Sequence, residues 1–274
     1  MSLFISEASA TVDDKDDIAT SQGHWYRADG SPCYEIVGKN GKLRPTTLRD
    51  AKVLSLYPSV TTIIRTASSP GLQRWKDEQL LMAALTSTRL LGETDDDYIS
   101  RVIDDSKAQG KAAADRGTAL HGALERYVQS GGSERQGVWQ EHCEAVCEAM
   151  REKNINLLTD GSAERSFAHP YGYGGKIDWS SLGAVVDFKS KASIGATKMK
   201  GYDEHIMQLA AYDQGLGNPG RRLLNVFVGC DDKVVQVLEW KPEDGVRGWK
   251  MYLSLLTYWQ DKTGYKPAPP TQEE

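Results

Sequence analysis

The 274-residue chain has no apolar run long enough to span a bilayer, so it contains no sequence signal for a membrane-crossing helix. Its opening, Met-Ser-Leu-Phe-Ile-Ser-Glu, lacks the basic region and long apolar core of a secretory signal, and Asp13, Asp14, Asp16 and Asp17 argue against a mitochondrial presequence. A cytoplasmic protein is the expectation. Cysteine is scarce: Cys33, Cys143, Cys147 and Cys230. None forms the Cys-x-x-Cys pair of a zinc or iron–sulfur site, and free, mostly buried thiols in a reducing compartment are expected. A positive excess is lacking too. The net charge is -5, whereas a non-specific DNA binder carries a basic surface. The acid is unevenly spread, however, over the N-terminal tail, Glu93 to Asp97 and Asp104-Asp105. Basic residues gather at Lys107, Lys111 and Arg116, at Lys189, Lys191, Lys198 and Lys200, and at Arg221-Arg222. There is no internal repeat.

What is present reads as one α/β domain. Residues 1–22 are polar and acidic and are expected to be disordered. The domain is expected over 23–266, with its core at about 112–240, followed by a polar tail over 267–274. A hairpin is expected over His24 to Val37, turning at Asp29-Gly30-Ser31-Pro32, and a second turn at Lys39-Asn40-Gly41. Thr46 or Thr47 caps a helix, and Ser59 or Thr61 caps another. Helices are expected over Pro70–Leu85, Thr94–Lys111, 112–129 and Gly137–Lys153. The polar second of these could stand away from the core as an arm. Gly131-Gly132 ends the third. Strands follow at Ala163–Ala168, Gly174–Trp179 and Ala184–Lys189, then a helix over Tyr202–Gly215, strands at Leu223–Gly229 and Val234–Trp240, and a closing helix over Asp244–Thr263. The stripe of Trp249, Tyr252, Leu256 and Trp259 on that last helix reads as core packing.

The most informative stretch is Gly174 to Lys189. Side chains alternate along a strand, so Asp187 and Lys189 share one face and Val186 and Phe188 the other. A tight hairpin through Ser180, Ser181 and Gly183 would bring Asp178 beside Asp187. Two carboxylates and a lysine would then lie together. A hard divalent cation needs oxygen ligands, and phosphodiester hydrolysis needs such a cation plus a positive group where charge develops. An isolated Asp-x-Lys is common on solvent-facing strands, so its companions decide.

Upstream, His121 lies in Arg116-Gly117-Thr118-Ala119-Leu120-His121-Gly122, where Gly117 and Gly122 leave room for a close approach and an imidazole could join a Mg²⁺ or Mn²⁺ site. Glu164, on the preceding strand, is either a further metal carboxylate or a solvated residue. Downstream, Gln208 and Tyr212 are four apart on one helix face. They could orient a nucleophile or hold a phosphate, or Gln208 could sit at the edge of a packed helix.

The order of these residues resembles the PD-(D/E)xK nuclease superfamily, and within it the RecB-like exonucleases. The residues that carry the resemblance are His121, Asp178, Asp187, Lys189, Gln208 and Tyr212. Residues Tyr57 to Trp75 and the run His169-Pro170-Tyr171-Gly172-Tyr173-Gly174-Gly175 resemble phage-encoded members. Asp187 stands where the superfamily often has Glu. The resemblance implies a mixed central β-sheet flanked by helices, a restriction-endonuclease-like core with helical additions. It implies a Mg²⁺-dependent (or Mn²⁺-dependent) DNA exonuclease, with one or two ions held by Asp178, Asp187, His121 and the backbone carbonyl of Phe188. Lys189 would position water or stabilise charge. No iron–sulfur cluster is expected, because Cys230 is the only cysteine after the core. Single-stranded DNA or DNA ends are the implied partner, with a recombination or annealing protein beside them. Arg74, Trp75, Lys76, Lys111, Arg116 and Lys191 are the DNA-contact candidates, although Trp75 could equally pack under the domain. A structure-specific or restriction-like endonuclease, a non-catalytic DNA-binding subunit and a small-molecule hydrolase are the alternatives.

Overall fold

Strand β1 (Trp25–Tyr26) is too short to form a hairpin of its own, and the chain settles it elsewhere. The computed structural model describes residues 23–67 and 70–269. The expected disordered tail at 1–22 and the last residues, 270–274, lie outside the described residues. The turn after β1 forms as expected, with the Cys33 amide donating to the Trp25 carbonyl at 2.7 Å. Strand β2 (Glu35–Val37) nevertheless pairs with β3 (Leu43–Pro45) through the turn at Asn40-Gly41, where Gly41 has a φ of 74° open to glycine at little cost. The single hairpin expected over 24–37 is thus corrected. Helix α1 (Leu48–Leu54) is capped by Thr47 and Asp50 reciprocally. Strand β4 (Tyr57–Pro58) then pairs antiparallel with β1, and α2 (Val60–Ile64) starts at the Ser59 cap.

Helix α3 (Pro70–Thr86) is followed by α4, a single helix over Asp95–Gln129. Two helices were expected there. Gly110 does not break the helix because three alanines follow it, the best helix formers, and because the glycine lies against Trp75, whose ring would be 3.5 Å from a Cβ. At 1.5 Å per residue α4 runs roughly 50 Å. Its first half and α3 form an antiparallel arm, sealed by buried Ala83 and Val102 and by the Tyr98 hydroxyl donating to the Ala84 and Ser87 carbonyls. Its second half packs Leu120, Ala123, Leu124 and Tyr127 into the core. Gly131 and Gly132, both at positive φ, end it. The helix expected from Gly137 begins as a 3₁₀ turn and becomes α5 (Gln140–Arg151).

Strands β5 (Gly161–His169), β6 (Tyr173–Ser181) and β7 (Ala184–Lys191), helix α6 (Asp203–Gly215), strands β8 (Arg222–Gly229) and β9 (Val235–Glu239), and helix α7 (Pro242–Thr263) complete the chain. The five long strands form one sheet in chain order, antiparallel except for β7 and β8. A parallel pair needs a crossover, and α6 supplies it. The protein is therefore a mixed sheet flanked by helices, the expected fold class. One face carries α6, α7 and the N-terminal elements, with Tyr173, Val185, Leu223, Tyr252, Leu256 and Trp259 buried there. The other carries α4 and α5, with Val186, Phe188, Leu224 and Val226. Along β7 the alternation is strict, so Asp187 and Lys189 share the face of Val185 and look toward α6. Cys143 and Cys147 are buried under α5, and burial pushes the Cys143 thiol up to about 12. Among the described residues no helix is long and apolar enough to cross a membrane.

Three histidines are held neutral by this packing. Burial lowers His24, brings His169 down to about 4 and lowers His205 to about 3, the last with Lys189 and Lys191 nearby. The unfolded chain takes up those protons near 6.5, so it binds more protons than the native state below that pH. Stability is expected to fall as pH drops from about 6.5 towards about 4. Urea midpoints across that range check this, and His169→Phe, which keeps the ring stacked on Tyr173, should flatten the fall.

Candidate active site

The site lies where β6 and β7 part. The connecting turn is tight: the Ser181 hydroxyl accepts from the Gly183 and Ala184 amides. The ladder holds only two pairs, Ser180 with Val185 and Trp179 with Val186. Beyond them the Phe188 amide has lost its strand partner, and a buried amide needs an acceptor. Asp178 supplies it: its Oδ2 accepts from the Phe188 N–H at 2.7 Å. The side chain of Asp178 thus takes the place of a backbone carbonyl and is fixed beside Asp187. Across the sheet, Glu164 stands opposite Asp178 with a φ of 61°, and the β5–β6 ladder skips this position.

Asp187 is 2% exposed. Lys189 Nζ donates to its Oδ1 at 2.9 Å and lies 2.8 Å from its Oδ2. The same ammonium donates to Gln208 Oε1 at 2.9 Å, and Gln208 Nε2 donates to the Tyr212 hydroxyl at 3.0 Å. The four-residue spacing on α6 thus puts Gln208 and Tyr212 on one face, with Gln208 bonded to both Tyr212 and Lys189. Two members were missed. Asn225 Nδ2 donates to Asp187 Oδ2 at 2.7 Å, and Trp240 Nε1 donates to Asn225 Oδ1 at 2.8 Å. Asn225 carried a legible signal, as the lone amide in Leu-Leu-Asn-Val-Phe-Val. Trp240, just past a strand end, carried none.

His121 enters from the opposite face. Its Nδ1 is 3.6 Å from Asp178 Oδ2, and its ring meets the edge of Phe188. Gly117 makes this approach possible, since a Cβ there would sit 2.6 Å from the Ser190 hydroxyl. Gly122 has no such role: a Cβ would meet only the mobile end of Arg126. Burial alone would push both carboxyls up. At Asp178, His121, Lys189 and the Phe188 amide overcome it and hold the carboxyl below its ordinary range. At Asp187 burial wins over Lys189, with Asp178 adding to it, and the carboxyl is raised. Burial would lower His121, but Asp178 and Asp187 keep it raised. Tyr212 is driven far up by burial and by the two carboxylates, so it stays a neutral phenol.

The remaining expected residues scatter. Glu164, opposite Asp178, forms an ion pair with Lys176 on the neighbouring strand. Arg74 is bound to Glu78 at 3.0 Å and Arg116 to Asp231 at 3.0 Å. Trp75 is 39% exposed, between the two readings offered for it. Lys111 and Lys191 are exposed. Lys76 alone of the six lines the cavity beside the site, a space of about 870 Å³ that also takes in Thr61, Arg65, Lys189, His205 and Gln208.

The donor set suits a hard cation. Asp178 keeps Oδ1 outside the contacts described above, Asp187 lies alongside, and an imidazole approaches. A strand residue turns its N–H and C=O to the same side, so the Phe188 carbonyl faces the same gap as Asp178. Among the described residues no group of three His, Cys, Asp or Glu already converges as a metal cage. Ligation would therefore replace the His121 and Lys189 contacts now made to the carboxylates.

No protein-family model matches the chain, and no curated protein matches it. Among the solved structures that are similar, two are the following. One is the crystal structure of a "putative exonuclease" from Eubacterium rectale, at 11% identity and a TM-score of 0.38, covering 57% of this chain and 70% of that one. The other is SSO0001, at 15% identity and a TM-score of 0.24, covering 40% and 57% respectively. At these values neither likeness bears on what this chain does.

The pairing of Lys189 with Asp187 has a testable consequence. Removing one member of a buried pair leaves an uncompensated charge, costing about 3–5 kcal/mol, while replacing both is far milder. Lys189→Met should lower the unfolding free energy by about 3 kcal/mol, and adding Asp187→Leu should restore only part of it, because the buried Asn225 amide then loses its acceptor. Urea denaturation of the two variants decides the matter.

Proposed function

We propose that the chain is a metal-dependent deoxyribonuclease of the PD-(D/E)xK, RecB-like kind, acting as an exonuclease on single-stranded DNA or DNA ends. The observation that supports this best is the convergence of Asp178, Asp187, Lys189, Gln208, Tyr212 and His121, from two strands and two helices, on one gap in the sheet. Asp178, Asp187, His121 and the Phe188 carbonyl would hold Mg²⁺ or Mn²⁺. The ion, when bound, lowers the pKa of a coordinated water and offsets phosphate charge. The rest falls to the chain. Lys189, tethered to Gln208, would present its ammonium where negative charge develops. Gln208 is itself held by Tyr212, a neutral phenol that orients it without adding charge. The adjoining cavity, with Arg65 and Lys76 on its wall, is large enough for a nucleotide. On this reading the setting is phage DNA recombination, repair or processing, alongside an annealing protein.

End-labelled linear and circular DNA, single-stranded and duplex, should be incubated with Mg²⁺ or with EDTA. Loss of linear but not circular DNA, dependent on Mg²⁺, is the expected result. Asp187→Ala should cut the rate by several orders of magnitude, roughly 10³-fold or more. Cleavage of circles would replace the exonuclease reading with an endonuclease. Binding without cleavage by the folded protein would make it a scaffold.

A further inference from the structure

A buried amide in an otherwise apolar strand asks for a reason. Asn225 is fully buried, between Leu223, Leu224, Val226, Phe227 and Val228. Leucine would fill the space without the cost of desolvating an amide. The parallel register of β7 and β8 sets Asn225 directly beside Asp187, and its Nδ2 donates to Asp187 Oδ2 at 2.7 Å. An asparagine could instead turn its carbonyl to the carboxylate. What prevents this is Trp240. The indole N–H is a donor only, and it donates to Asn225 Oδ1 at 2.8 Å. With a donor on one side and a carboxylate on the other, one amide orientation satisfies both partners. The indole is itself held still: a Cβ on Gly201 would overlap its ring, so the segment leading into α6 lies flat against it.

We propose that Asn225, oriented by Trp240, is a positioning residue that fixes the Asp187 carboxylate for cation binding. The proposal rests on the metal-dependent reading of the site. Lys189 bonds both Asp187 oxygens, and ligation of a cation by Asp187 would take over part of that contact. Without a second anchor the carboxylate would be free to rotate once Lys189 lets go. The Asn225 bond reaches Asp187 from β8, across β7 from β6 and Asp178, so it is clear of the gap where the exchange would take place. Trp240 acts only through Asn225. It lines a separate cavity of about 390 Å³ and reaches Asp187 through the Asn225 amide.

The test is Mn²⁺ affinity of the DNA-free protein by calorimetry, measured for the native chain, Asn225→Leu, Trp240→Phe and the double variant, with thermal midpoints recorded for each. Loss of an outer partner of a metal ligand weakens binding about 10- to 100-fold. Asn225→Leu should show a loss of that order and Trp240→Phe a smaller one. The double variant should be no weaker than Asn225→Leu, because the two act in series. Asn225→Asp, which keeps the shape and sets a carboxylate against Asp187, should not rescue. Equal affinity in native chain and Asn225→Leu would overturn the proposal, as would additive losses in the double variant. If Asn225→Leu does not fold, Trp240→Phe decides alone: unchanged affinity would refute the ordering role of the indole. Absence of Mn²⁺ binding by the native chain would instead overturn the metal-dependent reading itself.

Discussion

The ammonium of Lys189 is the constraint around which this part of the molecule is arranged. Its side chain is 25% exposed and its partner Asp187 is 2% exposed, so most of its charge must be answered by protein rather than water. Taking such charges out of water costs several kcal/mol per ion, and the attraction repays it only with full hydrogen bonding. Asp187 answers with both oxygens and Gln208 with one. Each of these then needs its own partner: Tyr212 for the Gln208 amide, Asn225 for the outer oxygen of Asp187, and Trp240 for the Asn225 carbonyl. One lysine on one strand has in this way drawn in four elements, β7, α6, β8 and the end of β9. A half-satisfied version of this chain would be worse than an apolar core.

The second arrangement is geometric. A sheet that stayed fully paired would have no gap in which two carboxylates could meet an incoming ligand. Here β6 and β7 separate after two pairs, and Asp178 closes the torn ladder with its own side chain. The same act holds Asp178 in place and exposes the backbone edge of Phe188. His121 reaches that edge from the α4 side while Lys189 approaches from the α6 side, so the gap is charged from both faces of the sheet. Two identical side chains have their pKa moved in opposite directions because one is answered by an imidazole and an amide and the other is buried more deeply beside its neighbour. Environments that push like groups apart are a feature of catalytic sites.

Much of this was readable in the residues, and the reason is periodicity. Asp-x-Lys on a strand fixes two side chains on one face, and Gln-x-x-x-Tyr on a helix does the same, so each pair was assigned without knowing the fold. The tight Ser181–Gly183 turn fixed the register that joins Asp178 to Asp187. What failed depended on choices between distant partners. At Glu164, residue order gave no sign of the left-handed backbone or of the ion pair with Lys176. The break expected near residue 111 rested on a shift from polar to apolar composition, and three alanines after Gly110 were enough to carry the helix through. The N-terminal hairpin was misassigned because β1, with two residues, takes its partner from 30 residues downstream. Trp240 lies beyond the reach of any local pattern, since its role exists only through a neighbour on the next strand.

The acidic balance of the chain, set against the proposed substrate, resolves into local terms. Arg74, Lys107 and Arg116 all hold carboxylates in the absence of a ligand, and each pair is largely exposed. Exposed pairs of this kind are worth about 0–1 kcal/mol. Exchanging a carboxylate for a phosphate oxygen therefore costs little, and the freed acid moves into water. Strength of binding would then come from the cavity wall at Arg65 and Lys76, next to the one ammonium that the fold has already paid to bury, rather than from net charge.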